Sequence, residues 1–180
     1  MEEFAKYVHL LPDVHGDAGE FAPPPQRPTI FWIGCSDARV SEARALPGKE
    51  IFVHRNIANQ FNVTDPNALA VLAHAVSLST VEEIMIVDHT NCGGVAACFQ
   101  AADPNQPKPQ LHWALWVWLT HLLHLAKSMV GQGERALIDE NVRVQVKALR
   151  GVLPMLTSRK FKVTGHVFDI ECQELQPVEV

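Results

Sequence analysis

"EEIMIVDHTNCGGVAACFQAA", residues 82–102, is the stretch on which the fold turns. Within its first seven residues, Ile84–Val87 is an unbroken apolar run of the kind a buried strand shows. The run ends in Asp88-His89, passes a turn bearing Gly93 and Gly94, and continues in helix-forming residues. A strand that feeds directly into a helix is half of a parallel crossover unit. Upstream, "TIFWIG" (29–34) predicts a first strand, a helical patch within 41–48 closes on Pro47-Gly48, and "EIFVHR" (50–55) predicts a second strand. Thr64 or Asp65 then caps a helix with Pro66 in its first turn. Downstream come a Pro-rich loop (103–109), the Trp-rich stretch 111–127, a helix around 136–153, and a strand with a hairpin-like return in 160–180. The expectation is an α/β fold with a mainly parallel central β-sheet flanked by helices. One domain is expected over 1–180, with 1–25 as an N-terminal arm and Pro-rich connector; 1–20 could form a short amphipathic helix.

Composition narrows the class. Hydrophobic residues make up 47% and charged residues 19% of 180, which suits a packed core. A net charge of -5 leaves no footprint for nucleic acid or acidic membranes. Four cysteines without a secretory apolar segment, behind an acidic, Arg-poor start, predict a reducing, cytoplasmic setting rather than a disulfide scaffold. The stretch "LHWALWVWLTHLLHLAK" (111–127) is too short to span a bilayer and carries three histidines. A largely buried helix at a subunit interface is expected there, with Trp113, Trp116 and Leu119 seeking a partner surface.

Ligands of open parallel sheets collect at the carboxyl ends of the strands. Cys35 follows the first strand and His89 the third, so both are predicted on one edge of one sheet. His89-x-x-Cys92 at a strand-to-helix turn, with Cys35 as a third group, suits Zn²⁺ and leaves a fourth position open. Spacing alone also admits buried free thiols and a core histidine.

The order Cys35-x-Asp37-x-Arg39, then His89-x-x-Cys92, resembles the signature of the β-class carbonic anhydrases. "PGKEIFVHRNIAN" (47–59), "HTNCGGV" (89–95), "DENVRVQV" (139–146) and "VTGHVFDI" (163–170) are similar to that family too. The likeness runs over roughly residues 26–175. It implies a zinc enzyme that hydrates CO₂ reversibly to bicarbonate and a proton through zinc-bound hydroxide. By the same likeness Cys35, His89 and Cys92 are the zinc ligands, and Asp37 with Arg39 is the catalytic dyad. In some members the equivalent Asp becomes a fourth ligand and closes the site. Gln26, Gly93 and Gly94 are the candidate substrate contacts, and a homodimer or higher homo-oligomer is expected. Relatives that hydrolyse carbonyl sulfide or carbon disulfide make that reaction the alternative. A bicarbonate-sensing protein without turnover is a third reading, disfavoured because Asp37 and Arg39 are present. Three departures stand out. Asp88 occupies a position that is often Gly, the C-terminal "IECQEL" lacks a turn Gly, and a Trp–Arg–Tyr bicarbonate site would here be Trp32, Arg55 and His74. Asp88 could hold His89 in place or turn away from the metal.

Overall fold

A computed structural model describes residues 24–180. The expected helix over 1–20 lies outside them, as does most of the N-terminal arm. Five strands form one sheet in the order β2-β1-β3-β4-β5. They are β1 (Ile30–Cys35), β2 (Ile51–Asn56), β3 (Glu83–His89), β4 (Lys162–Asp169) and β5 (Glu174–Val178). The first four run parallel, and β5 returns antiparallel to β4. β1 is buried along its whole length. That is why "IFWIGC" is continuously apolar rather than alternating: both of its faces are covered.

The helices are α1 (Glu42–Ala45), α2 (Pro66–Ser77), α3 (Gly93–Ala102), α4 (Trp113–Trp118), α5 (Thr120–Ser128) and α6 (Glu134–Leu156). α2 starts as its sequence demands: the Asp65 carboxylate accepts the Asn67 N–H at 2.9 Å and Pro66 occupies the first turn. α6 turns Leu137, Ile138, Val142, Val146 and Leu149 onto the sheet at helical spacing. It lies so close to β4 that a Cβ at Gly165 would come 2.5 Å from Val142 Cγ1, so that strand position has room for hydrogen alone. The larger core, with Phe31, Ile33, Leu72, Ile84 and Ile86, lies on this face. A smaller cluster around Trp32, Met85, Val87 and Phe168 fills the other.

The Trp-rich stretch departs from expectation. It is two helices, broken at Leu119, and no residue of α4 is buried. The Thr120 hydroxyl donates back to the carbonyls of Trp116 and Val117, a competition with backbone pairing that bends a helix. Leu119 packs inside its own chain at 1% exposure, whereas Trp113 stands 71% exposed. Period alone could not separate these, because every turn of the stretch is apolar. Among the described residues no helix is long and apolar enough to cross a membrane.

Candidate metal centre

Parallel pairing carries β1 and β3 side by side to the same sheet edge. Cys35 closes β1 and His89 closes β3. Cys92 caps the N-terminus of α3. The three ligand atoms of Cys35, His89 and Cys92 lie within 4.8 Å of one another, and all three residues are buried. The two sulfurs are 4.0 Å apart. His89 Nδ1 faces the Thr90 carbonyl at 2.9 Å. That contact fixes the proton on Nδ1 and leaves Nε2 its lone pair. Nε2 is buried and has no hydrogen-bond partner among the described residues. A buried acceptor without a donor is costly, and a metal ion between it and two sulfurs would satisfy it. The donor set therefore fits a metal cluster.

The electrostatics divide the thiols. The hydrogen bond from Cys92 lowers Cys35 to about 4, despite burial, with help from His89 and from the backbone N–H groups of Asp37 and Ala58. Cys92 is pushed well up by that same hydrogen bond and by burial. The metal-free pair thus holds one proton, on Cys92. His89 is pulled down by burial, but the negative charge of the neighbouring Cys35 sulfur outweighs this and raises it in the metal-free cluster.

Asp37 sits beside the cluster, with Oδ2 3.9 Å from His89 Nε2. Arg39 grips both of its oxygens: Nε donates to Oδ1 at 2.9 Å and Nη2 to Oδ2 at 2.7 Å. The Arg39 backbone N–H adds a third bond to Oδ1 at 2.9 Å. These bonds hold the Asp37 carboxyl far below the usual carboxylate range, so it is ionised at any ordinary pH. Arg39 also donates to the Asn91 carbonyl at 3.0 Å, tying the loop after β1 to the turn between His89 and Cys92. That turn needs Asn91 at φ 56, a conformation Asn accepts better than most residues.

Residues 30–175 match the carbonic anhydrase family profile. The chain belongs to the β-class carbonic anhydrase family. It is 30% identical over 170 residues to a carbonic anhydrase of Candida albicans, covering 86% of this chain and 58% of the relative. Over 132 residues it is 36% identical to a carbonic anhydrase of Emericella nidulans, covering 71% of this chain and 56% of the relative. The chain thus spans little more than half the length of these curated relatives. Among solved structures it resembles a tetrameric β-carbonic anhydrase of Sordaria macrospora, with TM-score 0.72, 29% identity, and 99% and 93% of the two chains covered. It likewise resembles a β-carbonic anhydrase of Aspergillus fumigatus, with TM-score 0.74, 31% identity, and 99% and 86% covered. A carbon disulfide hydrolase at 17% identity and TM-score 0.58, with 86% and 80% covered, shares the fold alone.

Within this family member the other expected residues fall into two groups. Gly94 lies in the first turn of α3 against the turn Ile57–Asn59: a Cβ there would come 3.0 Å from Ala58 Cβ and 3.2 Å from Ile57 Cγ2. At Gly93 a Cβ would meet nothing within 4 Å. Gln26 is exposed and precedes the opposite end of β1, roughly 17 Å of strand away from Cys35. A single chain does not bring it to the cluster.

Against a bicarbonate site at Trp32, Arg55 and His74 stands the place of His74. Its ring stacks 5.5 Å from Phe52, which stacks on Phe31, whereas Trp32 points to the other face of the sheet. Trp32, Arg55 and His74 therefore form no common site. Arg55 instead braces the loop after β1, donating to the carbonyls of Cys35, Asp37 and Val40. Asp88 has an ordinary negative φ and needs no glycine. It is wholly buried, and burial raises it to about 7 against the hydrogen bond from Asn141. Asn141 and Gln145 contact the site through it, and sequence reading gave neither a role. Their signal was present: two amides four apart on the apolar face of α6 have to be hydrogen-bonded to something.

Proposed function

We propose that this chain is a zinc-dependent β-class carbonic anhydrase, converting CO₂ and water reversibly to bicarbonate and a proton. The observation that carries this reading is the meeting of Cys35, His89 and Cys92 with an unpaired His89 Nε2, next to an Asp37 carboxylate clamped by Arg39. Cys35 and Cys92 as thiolates and His89 through Nε2 would hold the zinc. A zinc ion with two thiolates and one imidazole supplies a Lewis acid that makes water nucleophilic near neutral pH.

Asp37 accepts the O–H of the nucleophile and so aims a lone pair at the carbon of CO₂. Because both of its oxygens are engaged by Arg39, it is supported as that acceptor rather than as a fourth ligand. Arg39 in turn keeps Asp37 ionised and in place. The open space at Gly93 supports a substrate contact at the start of α3. The packing of Gly94 against Ala58 and Ile57 lets that helix end approach the loop after β2. A substrate contact by Gln26 would need a second copy of the chain, which agrees with the homo-oligomer expected here. Four unpaired cysteines agree with a reducing compartment, and we assign the protein to the cytoplasm.

Stopped-flow hydration of CO₂, run beside an assay for sulfide released from carbonyl sulfide, tests the substrate. Fast CO₂ hydration with little sulfide is expected. Rapid sulfide release with feeble CO₂ hydration would place the protein among the sulfide hydrolases.

A further inference from the structure

Asp88 precedes a metal ligand, is wholly inaccessible to solvent, and faces only donors. Its Oδ1 accepts the His89 backbone N–H at 2.9 Å, and its Oδ2 accepts Asn141 Nδ2 at 2.9 Å. The Asn59 amide nitrogen, turned toward the carboxylate because its oxygen would otherwise face another acceptor, reaches both oxygens at 3.1 Å. A carboxyl group offers an acceptor oxygen at both ends to these donors, which an amide does not.

The partners of Asp88 lead to the other side of the metal cluster. Asn141 Nδ2 also donates to the Ala58 carbonyl at 3.2 Å, and Gln60 Nε2 donates to the same carbonyl at 2.7 Å. Asn141 Oδ1 accepts from Gln60 Nε2 at 2.8 Å and from Gln145 Nε2 at 3.1 Å. Ala58 and Asn59 both lie in the left-handed region, at φ 58 and 47. Two successive non-glycine residues hold that conformation only where surrounding bonds impose it. This turn follows Asn56, which pairs with Cys35 across β1 and β2, and the Ala58 backbone N–H helps to lower the Cys35 thiol. One buried carboxylate thus touches the backbone of His89 directly and the support of Cys35 through Asn59 and Asn141.

We propose that Asp88 is a positioning residue of the metal centre, coupling His89 to the left-handed turn that supports Cys35. It acts on the ligands and not on the substrate. The His89 ring donates its own bond to the Thr90 carbonyl, so Asp88 sets where the ring starts rather than how it turns. This inference rests on Cys35, His89 and Cys92 being metal ligands, and its test reads metal binding rather than turnover.

Three proteins decide it: the wild type, Asp88→Asn, and the exchange Asp88→Asn with Asn141→Asp. Asp88→Asn places N–H donors against donors. In the exchange, the amide at 88 accepts from His89 N and donates to a carboxylate at 141, which accepts from Gln60 and Gln145, and the Ala58 carbonyl keeps the Gln60 bond while losing that of Asn141. Zinc affinity by chelator competition, the cobalt(II) absorption spectrum and thermal melting are measured for each. Asp88→Asn should bind zinc about 10- to 100-fold more weakly, with displaced thiolate-to-cobalt bands. The exchange should return affinity to within a few-fold of wild type and restore the spectrum. Wild-type affinity and spectrum in Asp88→Asn would overturn the proposal. So would an exchange that recovers melting but keeps the weak affinity and displaced bands, for then the cluster serves stability alone. If Asp88→Asn does not fold, the exchange decides by the same two readouts. Absence of zinc binding in the wild type would instead refute the ligand assignment beneath it, and the proposal with it.

Discussion

Asp37→Asn should slow CO₂ hydration by about 10²- to 10⁴-fold while leaving the zinc content at one per chain. Asn has nearly the same size, so packing is not at issue. It carries no charge, and in either orientation it turns an amide N–H toward Arg39 or toward the nucleophile. The bonds from Arg39 Nε and Nη2 cannot both survive, and the acceptor that orients the attacking oxygen is lost. The three metal-binding atoms are untouched. Separating rate from metal content is therefore the check. A variant with near-normal rate would remove Asp37 from the chemistry, and one that lost zinc in step with activity would make it a ligand.

Cys92→Ser should have the largest effect on metal binding. It removes one of three ligands at the N-terminus of α3 and puts a much poorer zinc donor in its place. Zinc should be lost on dialysis and activity with it. Zinc at a thousandfold excess over its dissociation constant stabilises a protein by about 4 kcal/mol, so the wild-type melting temperature should rise with zinc and the variant's should not. The pH dependence follows from the thiols. With Cys35 lowered to about 4 and Cys92 held above its usual value, the metal-free wild type at neutral pH carries a thiolate and a thiol. Capturing zinc expels the Cys92 proton, so affinity should rise with pH by at least tenfold per unit around neutrality. The rise stops where Cys92 ionises unaided. An affinity that did not change with pH around neutrality would mean that no thiol proton is released.

The fold and the metal cluster were legible because each rests on local pattern plus one topological rule. Short apolar runs before Cys35 and His89 announce strands, and ligands gather at the carboxyl ends of parallel strands. Those two facts place three distant residues together before any coordinate is known. The Trp-rich stretch was misjudged for the opposite reason. Its apolar residues surround the helix, so no face is marked as inward, and the break at Leu119 is accompanied only by the Thr120 hydroxyl bonding back to Trp116 and Val117. Likeness to a position could not decide whether Trp32, Arg55 and His74 share a site; the alternation of β1 does, sending Trp32 and the Phe31–Phe52–His74 stack to opposite faces. The Asp88 network was unreadable in another sense. Asp88, Asn59 and Asn141 belong to three separate elements, and only the packing of α6 over the end of β3 makes them neighbours. Gln26 marks a limit of a different kind, since its end of β1 lies away from the cluster in one chain.

Cys35, His89 and Cys92 are proposed to hold one zinc ion on which hydration of CO₂ depends. The most direct test strips the protein with a chelator and follows CO₂ hydration in stopped flow as zinc is returned in fractions of an equivalent. Negligible catalysis is expected at the start, then a linear rise, and a plateau at one zinc per chain. Stripped protein that hydrates CO₂ as fast as the restored sample, or protein that takes up a full equivalent of zinc and gains no activity, would contradict it.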